Sequence, residues 1–179
     1  MKILAVIDMQ KDFIDGSLGT GEAVSILPKV AEKIARFDGM VVYTRDTHDE
    51  NYPDTLEGRK LPVRHCIRNT DGWRLAPEIE ELRKAGNSPV FDKETFGSME
   101  LAKFLRTYAA EHALQEELTE VEFVGLCTDI CVITNALLVR TVLPQTEISV
   151  DASCCAGVTP ESHRNALEAM KMCQITIKE

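Results

Sequence analysis

Val121-Glu122-Phe123-Val124-Gly125-Leu126-Cys127-Thr128-Asp129-Ile130-Cys131-Val132 is an apolar run that meets a glycine and a polar turn, and an amphipathic stretch over residues 130–142 follows it. A short apolar run passing into a 3.6-residue period predicts a strand that leads directly into a helix. The same alternation recurs on either side. Strands are predicted over residues 3–7, 40–44, 90–92, 121–126, 147–150 and 174–177, and helices over 23–37, 77–85, 99–111, 130–142 and 160–172. Several strands are continuous and β-branched, the pattern of strands covered on both faces. Strands alternating with helices predict an α/β fold, a doubly wound, Rossmann-like parallel sheet of about six strands with helices on both faces. Thr159 before Pro160 reads as an N-cap followed by proline at the first helical position. Only residues 45–72 break the rhythm, with no convincing helix or strand. Connections of that length are usually functional or disordered, and His48, His65 and Cys66 within it, with Trp73 at its edge, favour an ordered, functional loop.

The chain has 179 residues, 20 Lys plus Arg against 29 Asp plus Glu, a formal net charge of −9, six cysteines and four histidines. A single domain over residues 1–179 is expected. Folding at this mass hides roughly 70% of the unfolded surface, so a core needs no disulfides. The acidic balance argues against nucleic acid, which calls for clustered Lys and Arg. No run of 18 apolar residues predicts a transmembrane helix, so no membrane partner is expected. The opening apolar stretch, ended by Asp8, is too short for a signal peptide, and a cytoplasmic location is expected.

Ligands of doubly wound folds bind beyond the carboxyl ends of the strands, and each predicted strand end carries chemistry. Asp8 follows the first, Asp46 and His48 the second, Lys93 the third, and Cys127 to Cys131 the fourth. Cys131 falls at a helix start with Thr128 or Asp129 as cap, where the helix dipole lowers a thiol pKa and backbone N–H groups point outward. Both effects serve a nucleophile that forms an oxyanion. Asp8 could take the thiol proton, and Lys93 could hold charge and orient both. Taken singly, each has an ordinary structural explanation: a core cysteine, a turn-capping aspartate, a solvated lysine. Asp46 and His48, two apart on an extended backbone, point the same way. With His65, and Asp54 or Glu57 as a further carboxylate, they would suit zinc, iron, manganese or a similar divalent ion. Cys154, Cys155 and Cys173 read as small buried hydrophobes, and His112 and His163 have no assigned role.

Five stretches together resemble the isochorismatase-like cysteine hydrolases, and within them the nicotinamidase branch. They are Ile7-Asp8-Met9-Gln10 with Asp12-Phe13, Thr44-Arg45-Asp46-Thr47-His48, Pro62-Val63-Arg64-His65-Cys66, Asp92-Lys93 with Thr95-Phe96-Gly97-Ser98, and Gly125 to Val132. The resemblance covers essentially the whole chain. It implies Cys131 as nucleophile, Asp8 as general acid and base, and Lys93 as positioning cation. It also implies a cis peptide between Leu126 and Cys127, with the backbone N–H groups of Cys127 and Cys131 facing the oxyanion. A divalent metal beside the triad is implied on Asp46, His48 and His65, with Glu57 as fourth ligand ahead of Asp54, and it would bind a pyridine nitrogen. Phe13 either packs on a flat substrate ring or is a core aromatic. The implied activity is hydrolysis of a small amide, nicotinamide first, by a chain that forms homo-oligomers. Isochorismatases, which cleave a vinyl ether without this metal, and ureido- or carbamoyl-cleaving amidohydrolases are the alternatives inside the family. A thiol redox protein using Cys127 and Cys131 is the alternative outside it, although their spacing is not Cys-x-x-Cys.

Overall fold

A computed structural model describes residues 1–112 and 117–179. Strands β1 (Lys2–Ile7), β2 (Met40–Asp46), β3 (Val90–Lys93), β4 (Glu120–Leu126), β5 (Glu147–Ala156) and β6 (Thr176–Lys178) form one sheet in the order β3-β2-β1-β4-β5-β6. Every neighbouring pair is parallel. The helices are α1 (Lys11–Ile14), α2 (Gly21–Arg36), α3 (Leu56–Lys60), α4 (Pro77–Ala85), α5 (Met99–His112), α6 (Ile133–Val142) and α7 (Pro160–Met172).

The two-residue alternation of β1 divides the interior into two cores. Ile3, Ala5 and Ile7 face one core, with Leu101 and Leu105 of α5, Ala136 and Val139 of α6, and Leu167 and Met170 of α7. Leu4 and Val6 face the other, with Ile26, Val30 and Ile34 of α2 and Ile79 of α4. The five residues from Ile3 to Ile7 are fully buried, which explains why β1 reads as an unbroken apolar run rather than an alternating one. The chain winds from β1 through β2 to β3, then crosses back to place β4 on the other side of β1. The switch point of the sheet therefore lies between β1 and β4, where a crevice opens at the strand ends.

The expected caps form at α7, where Thr159 Oγ1 accepts from the Ser162 N–H and the Ser162 hydroxyl closes a capping box. Four local expectations need correction. The 45–72 segment is not devoid of regular structure: β2 extends to Asp46, Tyr52–Asp54 is a 3-10 turn and α3 follows. β5 runs past residue 150 to Ala156, because pairing with β4 resumes after a register shift at Phe123/Gly125. β6 starts at Thr176 rather than 174, since Gln174 takes a left-handed φ of 61° in the turn that ends α7. Cys173, at the end of α7, is exposed rather than buried. Among the described residues no helix is long and apolar enough to cross a membrane.

Candidate active site and metal centre

Strand order brings the singled-out residues to one rim. Asp46 and Lys93 are register partners at the ends of β2 and β3. Asp8 follows β1 next door, and Ile7 pairs with Gly125 of β4. Adjacent parallel strands lie roughly 4.8 Å apart, so four residues distant in sequence become neighbours. Gly125 makes the approach of β4 to β1 possible: its φ is 116°, and a Cβ there would stand 2.1 Å from the Ile7 carbonyl oxygen. The Leu126–Cys127 peptide is cis.

Lys93 Nζ is the hub. It lies 2.7 Å from Asp8 Oδ2 and 3.2 Å from Asp46 Oδ1, and it donates to Cys131 Sγ at 3.4 Å. Asp8, Lys93 and Cys131 are all buried. Desolvation alone would pull the Lys93 ammonium down, but Asp8, Cys131 and Asp46 outweigh it and hold it well above the ordinary lysine value. Burial pushes the Asp8 carboxyl up against the pull of Lys93. Asp8 also sits at a φ of 47°, its N–H on Thr44 Oγ1 at 3.3 Å while the Thr44 hydroxyl donates back to Oδ1 at 2.6 Å.

Cys131 departs from expectation in its electrostatics. Burial and the neighbouring Asp8 carboxylate raise its thiol well above the ordinary value, where a helix start alone would lower it. The reason is local. Thr128–Val132 forms a π-helical turn, with the Val132 N–H on the Cys127 carbonyl, so Cys131 lies inside a covered turn rather than at an open helix end. The cap also differs. Thr128 and Asp129 make no capping hydrogen bond: Thr128 Oγ1 pairs with His163 Nδ1 at 2.8 Å, and the Asp129 carboxylate accepts from the Val158 N–H. Cys127 is pushed up to about 12, mainly by burial. Neither thiol of this pair has the depressed pKa of a redox cysteine.

A second cluster adjoins the first through Asp46. Among the described residues, one ligand atom from each of Asp46, His48 and His65 lies within 4.8 Å of the others, and all three residues are buried. Asp46 Oδ2 is 2.9 Å from His48 Nε2 and 3.4 Å from His65 Nε2. Burial would raise the Asp46 carboxyl, but the two imidazoles and Lys93 hold it far below the usual carboxylate range. His65 Nδ1 meets the Val63 carbonyl at 2.8 Å, which turns Nε2 toward the cluster. Among the described residues buried His48 Nε2 has no hydrogen-bonding neighbour but the Asp46 carboxylate, at 2.9 Å and poorly aligned for a hydrogen bond. Two imidazoles and a carboxylate with converging lone pairs fit a divalent metal. Glu57 Oε1 stands farther out, 3.7 Å from His48 Nε2 and 3.9 Å from His65 Nε2, and burial and Asp46 raise its carboxyl. Asp54 is exposed on the preceding turn. α3 brings Glu57 in because Thr55 caps it and because Gly58 lies against the Tyr52 carbonyl, where a Cβ would fall at 2.0 Å.

Both clusters open on a cavity of about 610 Å³ lined by Phe13, Asp46, Glu57, His65, Cys127 and Cys131, with Leu18, Leu56, Leu61, Phe96 and Val158 adding apolar surface. The Phe13 ring lies 5.6 Å from that of His65. Four residues that pattern reading did not single out complete the setting. Thr44 binds Asp8, Gln10 binds the Asp46 backbone, Asp12 accepts from the Cys66 N–H at 2.7 Å, and Tyr52 packs on both imidazoles. Gln10, Asp12 and Thr44 lie in quoted motifs, but a buried side chain's partners are not visible in its neighbours along the chain.

The family model for the Isochorismatase domain matches residues 2–178. The nicotinamidase of Saccharomyces cerevisiae is 24% identical over 214 residues, with 99% of each chain covered. The nicotinamidase/pyrazinamidase of Mycobacterium tuberculosis is 26% identical, with 99% of this chain and 98% of that one covered. A crystal structure of the pyrazinamidase of Pyrococcus horikoshii in complex with zinc superposes with a TM-score of 0.78 at 31% identity, covering 99% of this chain and 98% of that one. Sheet order, rim chemistry and the match along nearly the whole length agree: the chain belongs to the isochorismatase family.

Proposed function

We propose that the protein is a metal-dependent cysteine amidohydrolase that converts nicotinamide, or a closely similar heteroaromatic amide, and water to the acid and ammonia. The observation that carries this reading is the shared carboxylate of Asp46, which joins a Cys131–Lys93–Asp8 cluster to a two-histidine metal site on one cavity wall. The named relatives support it as nicotinamidases and a zinc-bound pyrazinamidase.

The raised thiol requires that the nucleophile be made on demand. The Asp8 carboxylate takes the proton from Cys131 Sγ, and its own raised pKa suits it to that transfer. The thiolate sulfur bonds to the amide carbonyl carbon, and the N–H groups of Cys127 and Cys131 hold the oxyanion. Asp8 passes the proton to the departing nitrogen as the C–N bond breaks, releasing ammonia and leaving a thioester. Asp8 then takes a proton from water, whose oxygen attacks the thioester carbon. The C–S bond breaks and the sulfur recovers its proton. Lys93, held charged throughout, keeps the thiolate and Asp8 in place. Asp46, His48, His65 and, as fourth ligand, Glu57 would hold the divalent metal, which supplies a Lewis acid for the ring nitrogen and so fixes substrate orientation before reaction. Phe13 lies along the cavity where a flat ring would pack.

Ammonia release from nicotinamide, set against a panel of small amides and ureido compounds, with and without a chelator, tests this reading. Nicotinamide is expected to turn over fastest, and the chelator to cost at least roughly tenfold, reversed by zinc. Turnover of a ureido compound with nicotinamide inert would overturn it.

A further inference from the structure

Gln10 is fully buried beneath the rim, and each end of its carboxamide has a main-chain partner. Its Oε1 accepts from the Asp46 N–H at 2.7 Å, and its Nε2 donates to the Asp46 carbonyl at 2.8 Å and to the Trp73 carbonyl at 2.9 Å. One side chain thus grips both polar groups of a single residue, the last of β2. The grip is braced from outside. Trp73 Nε1 donates to Thr47 Oγ1 at 2.8 Å, and the Arg45 guanidinium lies 3.8 Å over the Trp73 ring while its Nε pairs with Asp92 at 2.8 Å. Arg45, Asp46 and Thr47 are therefore held together with the β1–α1 turn and the strand that ends in Lys93.

Asp46 is the residue at which looseness would do most harm. Its Oδ1 faces Lys93, and its Oδ2 faces both imidazoles, so rotation or retreat of its backbone disturbs two clusters together. Buried amides are retained where all their hydrogen bonds are made, and outer partners that orient a ligand carry much of a metal site's affinity. We infer that Gln10 is a positioning residue: by clamping the Asp46 N–H and carbonyl it sets the one carboxylate that the metal site and the Lys93 cluster share. The inference rests on the reading of Asp46 as a metal ligand.

The test compares Gln10→Met, which keeps length but neither hydrogen-bonding end, and Gln10→Glu, which keeps the acceptor toward the Asp46 N–H but loses both donations. Ile79→Val, a buried apolar change on α4, is the control for simple destabilisation. Zinc affinity is measured on metal-free protein by competition with a chromophoric chelator, alongside thermal unfolding and kcat and KM for nicotinamide. Both Gln10 variants should retain a cooperative unfolding transition and lose roughly 10- to 100-fold in zinc affinity. Their kcat should fall at saturating zinc, where a defect of metal affinity alone would be repaired, whereas Ile79→Val keeps wild-type zinc affinity. Wild-type zinc affinity in the Gln10 variants overturns the inference. So does loss of the folded transition in both, which would assign Gln10 a purely structural role, and so does an equal loss in Ile79→Val. Failure of the wild-type protein to bind zinc would instead overturn the metal-site reading beneath it.

Discussion

Asp8 joins an uncommon backbone conformation to a buried charge. A non-glycine residue at φ 47° costs on the order of 1–3 kcal/mol, and the surrounding contacts hold it there: Thr44 bonds its N–H and its carboxylate, and Lys93 pairs with the other oxygen. Burial raises its carboxyl, and the Thr44 hydrogen bond opposes that rise. Removing the hydroxyl with Thr44→Val must therefore raise the Asp8 pKa further, and a base that is protonated over more of the pH range works over less of it. The acid limb of the kcat/KM profile should move to higher pH, and kcat/KM at neutral pH should fall about tenfold, the worth of a hydrogen bond to a charged group. An unmoved acid limb would separate Asp8 from proton transfer. Asp8, Asp46, Lys93 and Cys131 were legible in the sequence because each stands at the end of an apolar run, where such folds place their ligands. Thr44 and Gln10 were not, since one reads as an ordinary strand threonine and the other's partners lie 36 and 63 residues away.

β4 shows how an element carries stability unrelated to the site. At its start Glu120 receives hydrogen bonds from Ser149 of β5 and Lys178 of β6, with Lys2 of β1 at 3.3 Å. Lys33 of α2 joins the group by pairing with Glu122 and Asp151. Burial would raise the Glu120 carboxyl, but Lys178, Ser149 and Lys2 outweigh it and hold it at about 2. Since the folded value lies below the unfolded one, this group's contribution is complete above about pH 4.5 and is lost as pH falls toward 2. Glu120→Gln should therefore destabilise by on the order of 2 kcal/mol at neutral pH, allowing for screening at half-exposed Lys178, and the difference from wild type should shrink as pH falls through that window. Denaturant midpoints measured at neutral pH and at pH 3 give the result, and a pH-independent difference would contradict it. The six strands and the five long helices were legible as to type, and the bounds of α4 and α7 match because proline at the first turn marks each start. α3 escaped because five residues are too few to show a 3.6-residue period. The outer half of β5, Asp151 to Ala156, escaped because its partner is offset by a bulge and its residues are small or polar.

Across the whole molecule, topology accounts for the juxtaposition of chemistry. The order β3-β2-β1-β4 lays Lys93, Asp46, Asp8 and the Cys127–Cys131 turn side by side, and the return from β3 to β4 opens the cavity between them. No stretch of sequence contains that adjacency. It follows once the sheet is doubly wound, which explains how Asp8, Asp46, His48, Lys93 and Cys131 could be singled out at strand ends while the raised Cys131 thiol could not be foreseen. Burial of the turn by the rest of the fold outweighs the helix-start effect that local sequence suggests. The central claim, that this rim performs amide hydrolysis through Cys131, is tested most directly by ammonia release from nicotinamide by zinc-loaded Cys131→Ala protein. The account predicts no release above the uncatalysed background while zinc binding stays at the wild-type level; release at more than roughly a hundredth of the wild-type rate would contradict it.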